Sequence, residues 1–164
     1  MSEFIKEEKE SFIIFTLKGS SFGIHAMQVR EILRVPEIIP LPQAFSFMEG
    51  VVNVRDRVLP VIDLRKRFQM EADNKASNRL LIIRLPKVLV GLIVDSVKEV
   101  IDISLSTIQK PVETEIEGLG LHGISGIARA GKDLILLPDI TSILRVEEQD
   151  QLAAIRRRKE PASP

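Results

Sequence analysis

The sequence predicts a mostly β protein of two related lobes, and three observations carry that reading. Residues 12 to 64 are echoed in order by residues 80 to 140. The echoed segments are short runs of β-branched, aliphatic and Phe residues punctuated by Gly, Ser and Pro, the signature of strands joined by turns. Glycines, an aspartate and charged residues recur in register as well as aliphatics. A repeat of this length means one supersecondary unit used twice.

The first strand is Glu10 to Lys18, and its counterpart at an offset of 68 is Arg79 to Leu85. Gly19-Ser20-Ser21 turns the chain, and Phe22 to His25 returns, echoed by Val88 to Val94. Gly23 and Gly91 occupy the same place in these returns, where a missing side chain permits close backbone approach. Ala26 to Val35 fits a helical turn leading into a strand as well as it fits a short helix. Its Val29-Arg30-Glu31-Ile32 meets Val97-Lys98-Glu99-Val100, within an extended Lys98 to Ile103. Pro36, Pro40 and Pro42 break the next stretch, and Pro42 suits the first position of a short helix over Gln43 to Met48 with Gly50 beyond its end.

Beyond Gly50 the offset becomes 76. Gly50-Val51-Val52 meets Gly126-Ile127-Ala128, and Val58 to Leu64 meets Leu134 to Ile140. Val51 to Val54 and Val58 to Ile62 read as two strands around the polar tip Arg55-Asp56-Arg57. Asp63 then sits where it would cap a helix over Leu64 to Phe68, with Asp139 as its counterpart. The polar stretch at residues 70–78 lies between the repeats, so the lobes are expected to divide there. Pro111 to Glu117 is an acidic loop. The last helix begins near Val146, with Glu147 and Glu148 in its first turn and Arg156 to Lys159 near its end, matching the helix dipole. Residues 161–164 fray.

Each lobe would hold about 60 to 70 residues, a size at which one core is marginal, so the lobes are expected to pack together. The chain has 164 residues, 45% hydrophobic and 28% charged, with 23 basic and 23 acidic side chains. That balance gives no electrostatic footprint for nucleic acid. Seven Phe with no Trp or Tyr offer few platforms for stacking bases or sugars. There is no cysteine, hence no disulfide and no thiolate chemistry, which suits a reducing compartment. The charged Met1 to Glu10 does not resemble a secretory leader, and no apolar run approaches the roughly 20 residues that span a bilayer. Direct membrane insertion is therefore not expected.

Candidate chemistry is sparse. Gly118 to Gly123 matches G-x-G-x-x-G, but an acidic loop precedes it where a dinucleotide site needs a buried strand. His25 and His122 are the two histidines, too few for a metal site of three or four ligands. Asp63 and Asp139 read as helix caps rather than an acid–base pair. No catalytic, metal or cofactor residue is assigned. The stretch from Met48 to Phe68 stands apart, because apolar edges display Asn53, Arg55, Asp56 and Arg57 at its centre. An arginine at a strand end on a rigid scaffold suits recognition of a partner's carboxylate, or a structural ion pair.

This segment resembles the chemotaxis coupling protein CheW family. The resemblance rests on Gly50-Val51-Val52-Asn53-Val54-Arg55 with Val58-Leu59-Pro60-Val61-Ile62-Asp63-Leu64-Arg65, supported by Phe22-Gly23-Ile24, by Val29 to Ile32, and by Val90 to Val97. It covers about residues 11–146 as a CheW-like domain, leaving 147–164 as a C-terminal helix and tail. It implies two SH3-like five-stranded β-barrels packed together. It also implies a non-enzymatic, cofactor-free adapter between the cytoplasmic tip of chemoreceptors and the regulatory domain of a chemotaxis histidine kinase. Such a protein is cytoplasmic, lies at receptor arrays beneath the inner membrane, and self-associates in those arrays. By motif position the receptor-binding residues are Arg55, Val29 and Glu31, with Gly50, Gly91 and Val97 supporting the surfaces. The family usually continues Asn-x-Arg-Gly, whereas this chain has Asp56 followed by Arg57. Both are expected modulators, with the Asp56 carboxylate placed to pair with Arg55. The departure suits an adapter of a specialised, non-motility pathway. A ligand-binding double barrel is the rival reading.

Overall fold

The computed structural model of the chain describes residues 8–42, 47–110 and 123–159. The first repeat supplies β1 (Lys9–Leu17), β2 (Ser20–His25), β3 (Val29–Arg34), β4 (Met48–Val54), β5 (Arg57–Asp63) and the one-turn helix α1 (Leu64–Arg67). The second supplies β6 (Arg79–Arg84), β7 (Leu89–Val94), β8 (Ser96–Ser104), β9 (Ile124–Ala130) and β10 (Asp133–Pro138), and the helix α2 (Val146–Lys159) closes the chain.

Most expected elements appear within a residue or two of their predicted bounds. Ala26–Gln28 is a 3₁₀ turn that feeds directly into β3. The first hairpin turns at Lys18-Gly19 rather than Gly19 to Ser21, since both residues take positive φ (49° and 81°) and Leu17 pairs with Ser20. Such turns match the twist of the flanking strands. Of the helix expected over Gln43 to Met48, residues 43–46 lie outside the described ones, Phe47 stands in a turn and Met48 opens β4. The acidic loop at 111–117 also lies outside them.

The expected division into contiguous lobes near 70–78 is overturned by the strand order. One five-stranded sheet runs β8-β1-β2-β10-β9, and the other β3-β6-β7-β5-β4. Each sheet takes two strands from one repeat and three from the other, so the repeats exchange strands. The physical reason lies in edge pairing. β1–β2 and β6–β7 are hairpins whose free edges need partners, and those partners come from the opposite repeat.

The duplication is preserved in the hydrogen-bond register. Phe12 pairs with Ile101 in one sheet, and Leu80 with Leu33 in the other. Val52 pairs with Leu59, and Ala128 with Ile135. Even the bulge recurs. Ile14 and Phe15 face Glu99 and Val97, while Ile82 and Ile83 face Glu31 and Val29, so Lys98 and Arg30 are the extra residues.

The core explains why the strand sequences are continuously apolar. Phe12 and Ile14 point into a small core with Ala128, Ile135 and Leu137. Ile13, Phe15 and Leu17 point the other way, into a larger cluster that includes Val51, Ile62, Leu81 and Ile83 of the opposite sheet. Val52, Leu59, Val61, Leu80 and Ile82 form the second sheet's own small core. Strands buried on both faces lose the alternation of a half-exposed sheet. The expected joint packing of the lobes is this shared cluster. Leu152 brings α2 onto it, at 0% exposure.

Candidate functional site

The β4–β5 hairpin builds the site. Val54 pairs with Arg57, leaving Arg55 and Asp56 as a two-residue turn with φ of 50° and 64°. Both values are positive, as in a type I′ turn, which normally selects Asn, Asp or Gly. The predicted three-residue tip is thus shorter by one, and Arg57 begins β5. Asp56 tolerates its conformation because a short polar side chain visits this region at modest cost.

The turn aims Arg55 at β3. Its Nη1 donates to Glu31 Oε2 at 2.8 Å, and its Nη2 lies 2.6 Å from Glu31 Oε1. This fork-to-fork pair uses the planar guanidinium as a lysine could not. The arginine side chain is 76% exposed and the glutamate 21%, so Glu31 is the fixed member. The Asp56 carboxylate therefore does not hold Arg55 as the sequence suggested.

Val29 pairs with Ile83 and is half-buried against the shared core, whereas Glu31 pairs with Ile82 of the second sheet's own core, so the β3 bulge between them turns the two side chains to different faces. Val97 is its equivalent on β8, paired with Phe15 and packed on the same core. Sequence order placed Val97 in the second lobe, yet β8 lies in the sheet of β1 and β2. Gly50 has φ of 143°, and a Cβ there would collide with the Ile39 carbonyl oxygen. That carbonyl accepts from Val51 N at 2.9 Å while Ile39 N donates to Val51 O at 2.8 Å, so the segment before β4 is laced to it. Gly91 serves packing, since a Cβ would lie 2.7 Å from Leu80 Cδ1.

A second polar cluster escaped the sequence reading. Arg65, with 1% of its side chain exposed, donates from Nε and Nη2 to Asp63 at 3.0 and 2.9 Å. Its Nη1 donates to Asp95 Oδ1 at 2.7 Å and to the Asp73 carbonyl at 2.8 Å. Asp95 joins β7 to β8, and its other oxygen accepts from Lys18 N at 2.6 Å. The cluster therefore ties both sheets to the stretch between the repeats. Burial opposes the guanidinium charge, but hydrogen bonds and attraction from Asp63 and Asp95 outweigh it and raise the Arg65 pKa. Asp73 is held below the ordinary carboxylate range. Its desolvation works the other way, but Lys75, Lys18 and Arg65 overcome it. The signal available in the sequence was Asp63-Leu64-Arg65, a carboxylate and an arginine two apart ahead of a helix.

Asp63 also caps α1, accepting from Arg65 N at 3.0 Å. Asp139 occupies the matching place ahead of a 3₁₀ turn, but there its carboxylate accepts from the Thr141 hydroxyl at 2.7 Å. His25 meets Glu10 at 2.6 Å and packs its ring, tilted by 37°, against Phe12. His122 lies outside the described residues, as does the glycine-rich stretch before Gly123. Among the described residues no trio of His, Cys, Asp or Glu converges as a metal would need, and no helix is long and apolar enough to cross a membrane.

Comparison with known proteins agrees on one family. The model of the CheW-like domain matches residues 11–148. The chain is similar to the chemotaxis protein CheW of Treponema pallidum, at 29% identity over 91% of this chain and 90% of that one. It is also similar to the chemotaxis protein CheW of Bacillus subtilis, at 34% identity over 63% of this chain and 67% of that one. Among solved structures, the scaffolding protein TtCheW from Thermoanaerobacter tengcongensis superposes with a TM-score of 0.76. The two are 28% identical over 86% of this chain and 96% of that one.

Proposed function

The chain belongs to the CheW-like domain family, and from that premise we propose where this non-enzymatic chemotaxis adapter takes its partners. The receptor-binding residues are Arg55 and Glu31 at the end of the sheet that holds β3 and β5, and Val29 across the β3 bulge from them, with Gly50, Gly91 and, from the other sheet, Val97 supporting the surfaces. The partners are the cytoplasmic tip of a chemoreceptor and the regulatory domain of a histidine kinase, met in the cytoplasm at arrays beneath the inner membrane. Further copies of the chain join those arrays.

The observation that carries this reading is the ion pair between Arg55 and Glu31. Two residues 24 positions apart, picked out by motif position alone, share one geometry on the surface of a rigid sheet. Paired charges at the rim of an apolar interface fix register and discriminate partners more than they add affinity. The adapter transmits signal by holding receptor and kinase in one arrangement, so its binding must differ between signalling states.

Asp56 and Arg57 favour a refinement, a pathway with its own receptor. The turn accepts Asp56 without disturbing Arg55, so the departure from the usual glycine changes surface charge and leaves the scaffold alone. The test is co-sedimentation with a receptor cytoplasmic fragment and a kinase regulatory domain from the same cell. Binding to both, with the receptor side weakened by Arg55→Asp, is expected. Unchanged receptor binding by a folded Arg55→Asp protein would remove Arg55 from the site.

A further inference from the structure

We infer that the carboxylate-binding groups of this face are Arg30 and Arg57, not Arg55, and that they take an acidic, amphipathic segment of the partner. This rests on the adapter reading above and goes beyond it by naming the chemistry of the docked segment.

Between β3 and the β4–β5 hairpin lies a groove of about 130 Å³. Leu59 and Ile82 form its floor, 2% and 3% exposed, and Val54 and Leu89 flank them. Its rim carries Arg30, Arg55 and Arg57 against the single carboxylate of Glu31. Glu31 already engages both terminal nitrogens of Arg55. Arg55 therefore brings little free charge, and taking it away would leave Glu31 unpaired. Arg30 and Arg57 are exposed, and among the described residues neither has an ionic partner. A guanidinium stays charged at any physiological pH, so two guanidiniums outside any ion pair stand over an apolar slot, and with Asp56 counted the three arginines exceed the carboxylates of this end by one. The complement is a Glu or Asp beside an aliphatic side chain, the spacing that an amphipathic helix provides.

The internal duplication supplies a control within the molecule. At the equivalent end of the other sheet, Lys98 and Glu99 replace Arg30 and Glu31, and Gly131, Lys132 and Asp133 replace Arg55, Asp56 and Arg57. Charges there balance, two of each sign, against three positive and two negative at the first end, and no arginine stands at any of these positions. The excess of free guanidinium is confined to one of two otherwise matched ends. Position 30 carries its cation outward because it is the bulged residue of β3, a device that re-aims a side chain.

The test uses the full chain and the receptor cytoplasmic fragment at low and moderate salt. Reversing both charges (Arg30→Glu with Arg57→Glu) is expected to weaken binding at least tenfold while leaving the melting curve in place. Arg30→Lys with Arg57→Lys should keep most of it. Reversal of one acidic residue on the fragment should restore binding to the reversed chain. If the double reversal binds as the parent does while Arg55→Asp fails, the inference is overturned and the adapter reading stands. If the parent does not bind the fragment, the receptor reading falls. A helical peptide carrying Glu and Leu four residues apart, titrated against the same variants, then decides the groove alone. Equal binding by parent and reversed chain, or none, overturns it.

Discussion

Arg55 and Glu31 lock together fork to fork across two strands, and the exposed arginine is held by the more buried glutamate. An exposed pair of this kind contributes only about 0.2–1 kcal/mol to folding. Arg55→Asp should therefore leave the melting temperature almost unchanged while receptor-fragment binding falls tenfold or more. The exchange Glu31→Arg with Arg55→Glu should restore the pair and the stability and, with Arg30 and Arg57 untouched, most of the binding. A swapped protein that folds but does not bind would show that the orientation of the pair is itself read by the partner.

Asp56 sits at φ of 64° in the β4–β5 turn. Glycine would relieve that strain, so Asp56→Gly should stabilise the chain by about 0.5–1 kcal/mol. Asp56→Val should destabilise it by more, since a β-branched residue is a poor fit at positive φ. Urea midpoints of the two variants, moving in opposite directions, are the check.

Two glycines should differ in what they tolerate. Gly50→Ala drives a methyl into a backbone carbonyl at a φ unsuited to alanine, and a loss of about 3 kcal/mol or more is expected. Gly91→Ala meets the end of the Leu80 side chain, which can shift, at a cost of about 1–3 kcal/mol. Equal losses in chemical denaturation would contradict the assigned geometries.

Removing Arg65 should be severe. Arg65→Met leaves Asp63 and Asp95 without their cation, and breaking a buried pair this way costs about 3–5 kcal/mol. A urea midpoint lowered by the equivalent of that loss is expected, and a stability equal to the parent would show the cluster to be dispensable.

The acid limb of stability should carry a mark of Asp73. Its pKa is depressed in the folded chain, so its contribution is present above the unfolded carboxylate value of about 4 and is lost as pH falls through the lower folded one. Asp73→Asn should flatten that part of the pH profile and leave the neutral range alone. Arg65 is shifted upward, so its contribution holds below its ordinary value and is lost only as pH rises through the folded one, in strong alkali.

Strand exchange makes a prediction about cutting the chain. Fragments 1–72 and 73–164 should each be largely unfolded alone, because each would present hairpins without their partner strands. Mixed, they should recover the β circular-dichroism spectrum of the whole. Two fragments that fold independently would restore the contiguous lobes the sequence suggested.

The sequence by itself determined the strands, the duplication and the family. Those are written in local patterns: Gly50 to Arg65, the paired glycines at 23 and 91, and the Val-x-Glu stretches at 29 and 97. It also marked Arg55, Glu31 and Val29, through motif position, without showing that two of them touch. Only the tertiary structure decided which strands pair, because an apolar strand buried on both faces carries no label for its neighbour. Phe12 to Leu17 reads the same whether its edge meets β3 or β8. The structure likewise decided that Glu31, rather than Asp56, neutralises Arg55, and that Arg65 is buried among carboxylates. Those contacts join residues distant in the chain, and their energies depend on separation and burial, which a sequence does not state.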